Sequence, residues 1–240
     1  MPRLGGRKLY YLLKDDFDKE SIKIGRDKLF DLLRVENLLV SKKKKYIKTT
    51  DSSHWRFKYP DQVKGVQPTG PEQIWVADIT YLALIKGYCY LHLITDAYSK
   101  KIMGYKISDN LAAIHTIEAL KQAIQQRQYK RKLIHHSDRG LQYCSTGYVT
   151  ILKQNGIKIS MTQDGSPYDN AIAERVNGIL KDEFELDDVF EDQKQAESLT
   201  RQAITLYNQY RPHMSCSMLT PNKMHQQTKL KAKNWRQVLS

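Results

Sequence analysis

Cysteine is scarce in this 240-residue chain: Cys89, Cys144 and Cys216 are its only three, and no two of them form a C-x-x-C pair. That spacing excludes a disulfide-stapled framework and a cysteine-built zinc site. The three thiols read as reduced, mostly buried side chains. Long apolar runs are missing too. No stretch approaches the ~18 residues that a membrane span needs, and the opening MPRLGGRK lacks the apolar segment of a secretory signal. The expectation is a cytoplasmic protein without a membrane association. Acid is short relative to base, with 26 Asp and Glu against 39 Lys and Arg and a net charge of +13. The imbalance is uneven, because residues 1–66 hold 17 of the basic side chains and only 9 of the acidic ones. Such an excess favours a polyanionic partner, most commonly DNA or RNA, although charge alone reads equally well as a merely basic soluble protein.

What is present is globular. A hydrophobic fraction of 40% is too high for a disordered chain, and the length suits one main domain plus a smaller module. Residues 5–40 carry two helical patterns, Leu9, Leu12, Leu13 and Phe17 before Gly25, then Leu29, Leu32 and Leu33 after it. Arg26, Lys28 and Arg34 decorate the second. The pair reads as a helix-turn-helix-like unit or, equally, as an ordinary helical hairpin. Lys42, Lys43, Lys44 and Lys45, followed by Pro60, Pro68, Gly70 and Pro71, suit a basic linker. The lysine run either neutralises phosphates or is simply solvated.

From Ile74 the pattern turns to β. IWVADITYLALI, YCYLHLITDAYS and KIMGYKIS read as an antiparallel meander with a turn at Lys86-Gly87. A helix follows with Ala113, Ile117, Leu120 and Ile124 on one face. LIHHSD is a fourth strand, Tyr148–Asn155 a helix closed by Gly156, and IKISMT a fifth strand. Residues 170–185 read as a helix with Asp169 as N-cap. A last helix from about Gln193 to Tyr210 shows Leu199, Ala203, Leu206 and Tyr210 on one stripe. The order β-β-β-α-β-α-β-α predicts an α/β sandwich, a mixed sheet with helices on its faces.

Three acids occupy unusual places. Asp78 interrupts the apolar first strand, where an ionised carboxylate is costly without compensation. Asp138 stands at the end of the fourth strand, where α/β sheets commonly present ligands. Glu174 lies one turn into the helix after the fifth. Converging carboxylates resist ionising together. A hard divalent cation removes that conflict, and a pair of such ions suits phosphodiester cleavage and transfer. Taken singly, each acid also reads as a structural strand residue, a turn residue or an exposed helix acid. Asp96 in the second strand is a rival that fits a structural or turn role better. Of His135 and His136 only His136 shares a strand face with Asp138, so packing or a phosphate contact suits them better than a zinc pair. Asp164 and Asp169 flank Gly165 and Pro167 in a turn.

The order of the motifs is more specific than any one of them. Thirty-five residues separate Asp138 from Glu174. The segments WVADITYL, YCYLHLITDAYSKKIMGY, LIHHSDRGLQYCS, SMTQDGSPYDNAIAERVNGILKDE and YNQYRPH follow one another. Together they resemble the Asp-Asp-Glu transposases and retroviral-type integrases of ribonuclease-H-like fold. Within these they resemble the second-reading-frame product of the bacterial insertion-sequence transposases of family three, over about residues 5–225. The resemblance implies catalytic, metal-binding roles for Asp78, Asp138 and Glu174, with Mg²⁺ or Mn²⁺ as cofactor, two ions in number. It implies a DNA contact at Lys181, which shares a helix face with Glu174. Arg139, Arg175, Arg211 and Lys42–Lys45 are further expected DNA contacts, although Tyr207 and Tyr210 near Arg211 read equally as core packing. The expected division is a basic helical module at 1–45, a linker at 46–72, an integrase-like catalytic core at 73–225 and a tail at 226–240. The expected activity is cleavage and strand transfer of an insertion sequence. A nuclease that cuts without joining, or a non-catalytic DNA-binding remnant, stands as the alternative. The implied partners are transposon-end and target DNA, further copies of the chain assembled on DNA, and the upstream-frame product. The implied setting is the bacterial cytoplasm.

Overall fold

The computed structural model describes residues 1, 3–40, 57–163 and 170–227. Two helices open the chain, α1 (Gly6–Lys19) and α2 (Arg26–Val35). Their apolar positions are only partly covered. Leu29 is buried, Leu9, Leu13, Phe17 and Leu33 are half-buried, and Leu12 and Leu32 stay exposed. The strands are β1 (Ile74–Ala83), β2 (Tyr88–Asp96), β3 (Ile102–Ser108), β4 (Ile134–Ser137) and β5 (Lys158–Met161). They pair in the order β3-β2-β1-β4-β5. The first three form the expected antiparallel meander, and β4 and β5 run parallel to β1. The helices α3 (Ala113–Gln125), α4 (Thr146–Gln154), α5 (Ala171–Glu183), α6 (Gln193–Tyr210) and α7 (Pro221–His225) complete the chain.

Alternation along the strands creates two cores. On one face Leu82, Leu91, Leu93 and Ile107 pack under α5 and α6 through Val176, Leu180, Ala203 and Tyr207. On the other, Trp75, Ala77, Ile94 and Met103 pack under α3 and α4 through Ala119, Leu120, Tyr148 and Leu152. The result is the mixed sheet flanked by helices that the motif order predicts. Among the described residues, no helix is long and apolar enough to cross a membrane.

Two helix faces differ from expectation. In α6 the buried residues are Ala196, Thr200, Ala203, Ile204 and Tyr207, whereas Leu199, Leu206 and Tyr210 are exposed. In α3 the buried residues are Thr116, Ala119, Leu120 and Ala123, while Ile117 and Ile124 only flank the core. Small side chains face the sheet because the helices lie close to it. The approach is tightest at Gly104 of β3, where an added Cβ would stand 2.2 Å from the Ala119 carbonyl oxygen and 2.8 Å from the Ala123 nitrogen. A side chain larger than alanine does not fit at those two positions of α3.

Helix ends follow local chemistry. Gly156 takes φ +64°, its N–H donates to Lys153 and that of Ile157 to Leu152, closing α4 as the sequence suggests. At the start of α5 the N-cap is Asn170, and its side chain makes no capping bond. Asp169, expected there, lies outside the described residues, as does Asp164. Residues 60–62, part of the stretch read from composition as linker, run beside the β5 edge. The N–H of Gln62 donates to Ser160 Oγ and its side-chain amide to the Ile159 carbonyl, so the sheet edge is covered rather than open.

The tightness of the seam at Gly104 can be measured. Gly104→Ala should destabilise the protein by about 1–3 kcal/mol or more, the range for overpacking a filled interior. Chemical denaturation reads this loss, and an unchanged midpoint would show that α3 yields without cost.

Candidate active site

Asp78 sits in β1 opposite Leu93 of β2. It shares a strand face with Val76 and Leu82, the face that α5 covers. Two asparagines fasten α5 there. Asn170 Nδ2 donates to the Ala77 carbonyl at 2.9 Å, and Asn177 Nδ2 donates to Asp78 Oδ2 at 2.7 Å. β1 and β4 are parallel, with Val76 opposite His136. Extending that register by two residues sets Asp138, which follows the last residue of β4, beside Asp78. The Gly140 N–H donates to Asp138 Oδ1 at 2.9 Å and folds the loop around it. Glu174 lies in the first turn of α5, exposed, one helical step from Asn177.

The electrostatics of Asp78 register both other acids. Asp78 is only partly open to solvent, and its carboxyl is pushed up to about 7. Burial is the largest cause and the charge of Asp138 the next. The Ile79 N–H and Asn177 oppose the shift, and Glu174 adds to it. The buried Tyr143 hydroxyl feels the charges of Asp138 and Asp78 and is held well above its ordinary value, chiefly by burial. Among the described residues that hydroxyl has no hydrogen-bond partner, and neither has Asn177 Oδ1. The spot is therefore rich in oxygen. Among the described residues, no three His, Cys, Asp or Glu side chains stand close enough together to hold a metal ion.

Lys181 lies one further turn along α5, on the face of Glu174 and Asn177. Its Nζ stands 4.3 Å above the Tyr81 ring, a cation–π contact. Burial lowers its pKa, and the charges of Asp187, Asp78 and Asp182 act against that. Arg175 is exposed beside Glu174, and Arg139 is half-buried beside Asp138.

Arg211 departs from expectation. Read from the sequence as a DNA contact, it is 1% exposed and clasps Glu183 of α5 through Nε at 2.8 Å and Nη2 at 2.7 Å. Lys8 of α1 completes the cluster at 2.6 Å from Glu183. A guanidinium so enclosed cannot reach a phosphate. Tyr207 is buried as a packing residue, but Tyr210 is exposed, because it follows the outer side of α6. Asp96 is structural, accepting the N–H groups of Glu72 and Ser99 and the Ser99 hydroxyl. His135 and His136 are both buried, bonded to the Tyr148 hydroxyl and to Ser160 Oγ at 2.8 and 2.9 Å, which leaves packing rather than phosphate contact. Lys42–Lys45 lie outside the described residues.

Comparison with known proteins places the chain in a family. Two family models, each described as an integrase core domain, match residues 68–167 and 155–221. The 31 kDa protein of insertion element IS600 from Shigella sonnei is 36% identical over 89% of this chain and 81% of its own length. The chain belongs to the IS3 family of insertion-sequence transposases, with an integrase core. Transposase InsF of IS3A from Escherichia coli is 35% identical to this transposase over 65% of this chain and 54% of its own. The catalytic core domain of HTLV-2 integrase, solved in complex with magnesium, covers 65% of the transposase and 97% of its own chain. Its TM-score is 0.52 and its identity 23%, a likeness of fold.

Asn170, Asn177, Tyr81 and Tyr143 were missed in the sequence. Asn177 was findable, since it falls three residues after Glu174 and four before Lys181 on the same helical face. Tyr143 was not, because nothing in LQYCS distinguishes a tyrosine aimed at two acids from a core tyrosine.

The raised carboxyl of the transposase has a consequence for its stability. A carboxyl that binds its proton more tightly in the folded than in the unfolded state loses stability as pH rises between its ordinary value and its folded one. In metal-free buffer, Asp78→Asn should therefore gain on the parent from about pH 4 to about pH 7 and level off above. Within that window the gain should grow by at most about 1.4 kcal/mol for each step of one in pH. Denaturant titrations across the window measure it, and a difference independent of pH would mean that Asp78 ionises normally. Separately, Arg211→Ala should cost about 3–5 kcal/mol of stability by leaving Glu183 underpaired. The salt dependence of DNA binding by the folded protein should not change. A normal melting curve with weakened DNA binding would return Arg211 to the DNA surface.

Proposed function

We propose that this transposase cuts DNA and joins the cut end to a new strand at a centre made by Asp78, Asp138 and Glu174. What supports this reading is the pairing of β1 with β4, which brings Asp78 and the residue after β4, Asp138, to neighbouring positions, together with the charge of Asp138 and, more weakly, of Glu174 felt at the half-buried Asp78. The donor set fits Mg²⁺ or Mn²⁺, which favour carboxylate and neutral oxygen ligands, two ions being the number proposed. Bound there, divalent cations would activate an attacking hydroxyl and stabilise the departing oxygen.

The residues of the chain supply the rest. Asp78 and Asp138, set side by side by neighbouring strands, offer fixed carboxylate oxygens, and Glu174 closes the site from the helix. Asn177 fixes the rotamer of Asp78. Asn170 ties the first turn of α5 to β1, which limits how far Glu174 can stray. Lys181, poised over Tyr81, offers a positive charge to a backbone phosphate, and Arg139 and Arg175 flank the acids in the same role. Water or a DNA 3′-hydroxyl is the nucleophile, so no side chain forms a bond to DNA. In this reading residues 73–225 are the catalytic core and residues 1–45 a basic module, with Lys42–Lys45 near its end. Transposon ends and target DNA are the substrates, and the protein works as an oligomer on DNA together with the upstream-frame product.

Asp78→Asn, Asp138→Asn and Glu174→Gln should each lower metal-dependent cleavage and strand transfer of a labelled donor end by roughly 10³-fold or more, equivalent to ~4 kcal/mol of transition-state stabilisation. DNA binding should persist. Ca²⁺ should support binding without efficient cleavage, because its looser shell positions oxygens less strictly. Robust strand transfer by any one variant would remove that residue from the centre.

A further inference from the structure

The three parallel strands β1, β4 and β5 begin at the same end of the sheet, and Asp138 follows the opposite end of β4. The connection from α3 into β4 reads Arg127-Gln128-Tyr129-Lys130-Arg131-Lys132, four cations in six residues and no acid. Lys130 and Lys132 are exposed. Lys158, the first residue of β5, is exposed beside them, and its N–H donates to the Leu133 carbonyl at 2.9 Å. Lys64 is also exposed. It lies just before Val66 and Pro68, which line a cavity of about 360 Å³ together with Arg131 and Lys132.

The carboxylates nearest to this end are committed elsewhere. Glu72 is fully buried, accepts the N–H groups of Gln128 and Tyr129, and takes Arg127 at 3.4 Å. Asp61 turns inward to the N–H groups of Val63 and Lys64. Arg131 lies over the Tyr129 ring at 5.5 Å. Like charges gathered in this way repel one another, and a polyanion relieves the repulsion. Five residues of chain separate Lys132 from Asp138, six steps or roughly 20 Å at ~3.3 Å per extended residue. A strand held at the acids does not cover these lysines.

We propose that this end of the sheet is a second binding surface, for the phosphate backbone of duplex DNA, remote from the acidic centre. The choice of DNA as the polyanion rests on the transposase reading. Lysine ammonium groups grip phosphates without reading bases, so the surface adds affinity and orientation but no sequence preference.

The test uses the full chain with Lys130, Lys132 and Lys158 replaced together by Ala, all three being exposed and safe for folding. Binding to a random-sequence duplex is followed by fluorescence anisotropy between roughly 50 and 300 mM salt. The slope of log affinity against log salt should become shallower by about 2–3, since each lost phosphate contact contributes about 0.9. The matching triple Lys→Arg variant should keep the parent slope. Metal-dependent nicking at saturating DNA should persist in both variants, because none of the three lysines lies near the acids. A slope unchanged by the Ala variant overturns the proposal, and so does a loss that Arg does not restore. Absence of nicking in the parent would count against the catalytic reading instead, and leaves the binding measurement intact.

Discussion

The carboxylate of Asp78 stands in a strand between Val76 and Thr80 on its own face, opposite Leu93, beneath a helix, with another carboxylate beside it. Holding negative charge there is costly, and much of the architecture around the site keeps it in place. Two asparagines pin α5 to β1, one to the backbone and one to the acid itself. The parallel pairing of β1 with β4 fixes where Asp138 emerges. Burial and the charge of Asp138 raise the carboxyl of Asp78 in this arrangement.

The elements of the fold were legible in the sequence because their periodicities differ. The β-branched and aromatic residues of IWVADITYLALI, the turn residues at Lys86-Gly87 and the glycine closing α4 are local signals, and local interactions decide them. The faces of α3 and α6 were not legible. A helical wheel favours the side with large apolar residues, whereas a close helix–sheet seam selects Ala119, Ala123, Ala196 and Ala203. That preference originates in the partner surface, at Gly104 in the case of Ala119 and Ala123 of α3, and does not appear in the helix sequence. The same limit applied at the site. The spacing of Asp138 and Glu174 pointed to the acids, but Arg211 resembled any exposed arginine until its tertiary partner Glu183 was seen. Burial of a charge is decided by what meets it.

Glu183 links three parts of the chain. It ends α5, receives Arg211 from just beyond α6 and takes Lys8 from α1. Burial lowers the pKa of Lys8, with the charge of Arg211 acting in the same direction, while Glu183 opposes both. The carboxyl of Glu183 in turn is held below its ordinary range by Arg211 and Lys8 in spite of burial. The N-terminal helices, which bury little of their own apolar surface, thus gain a polar anchor on the sheet domain.

The helix between these two sets of bonds is, in mechanical terms, a strut pinned at both ends. Its 13 residues span about 20 Å at 1.5 Å per residue, and an α-helix of that length is stiff along its axis. Asn170 holds one end against β1, close to Glu174, and Glu183 holds the other against Lys8. The strut thus sets a fixed spacing between the polar anchor of the first helices and the first turn, where Glu174 stands.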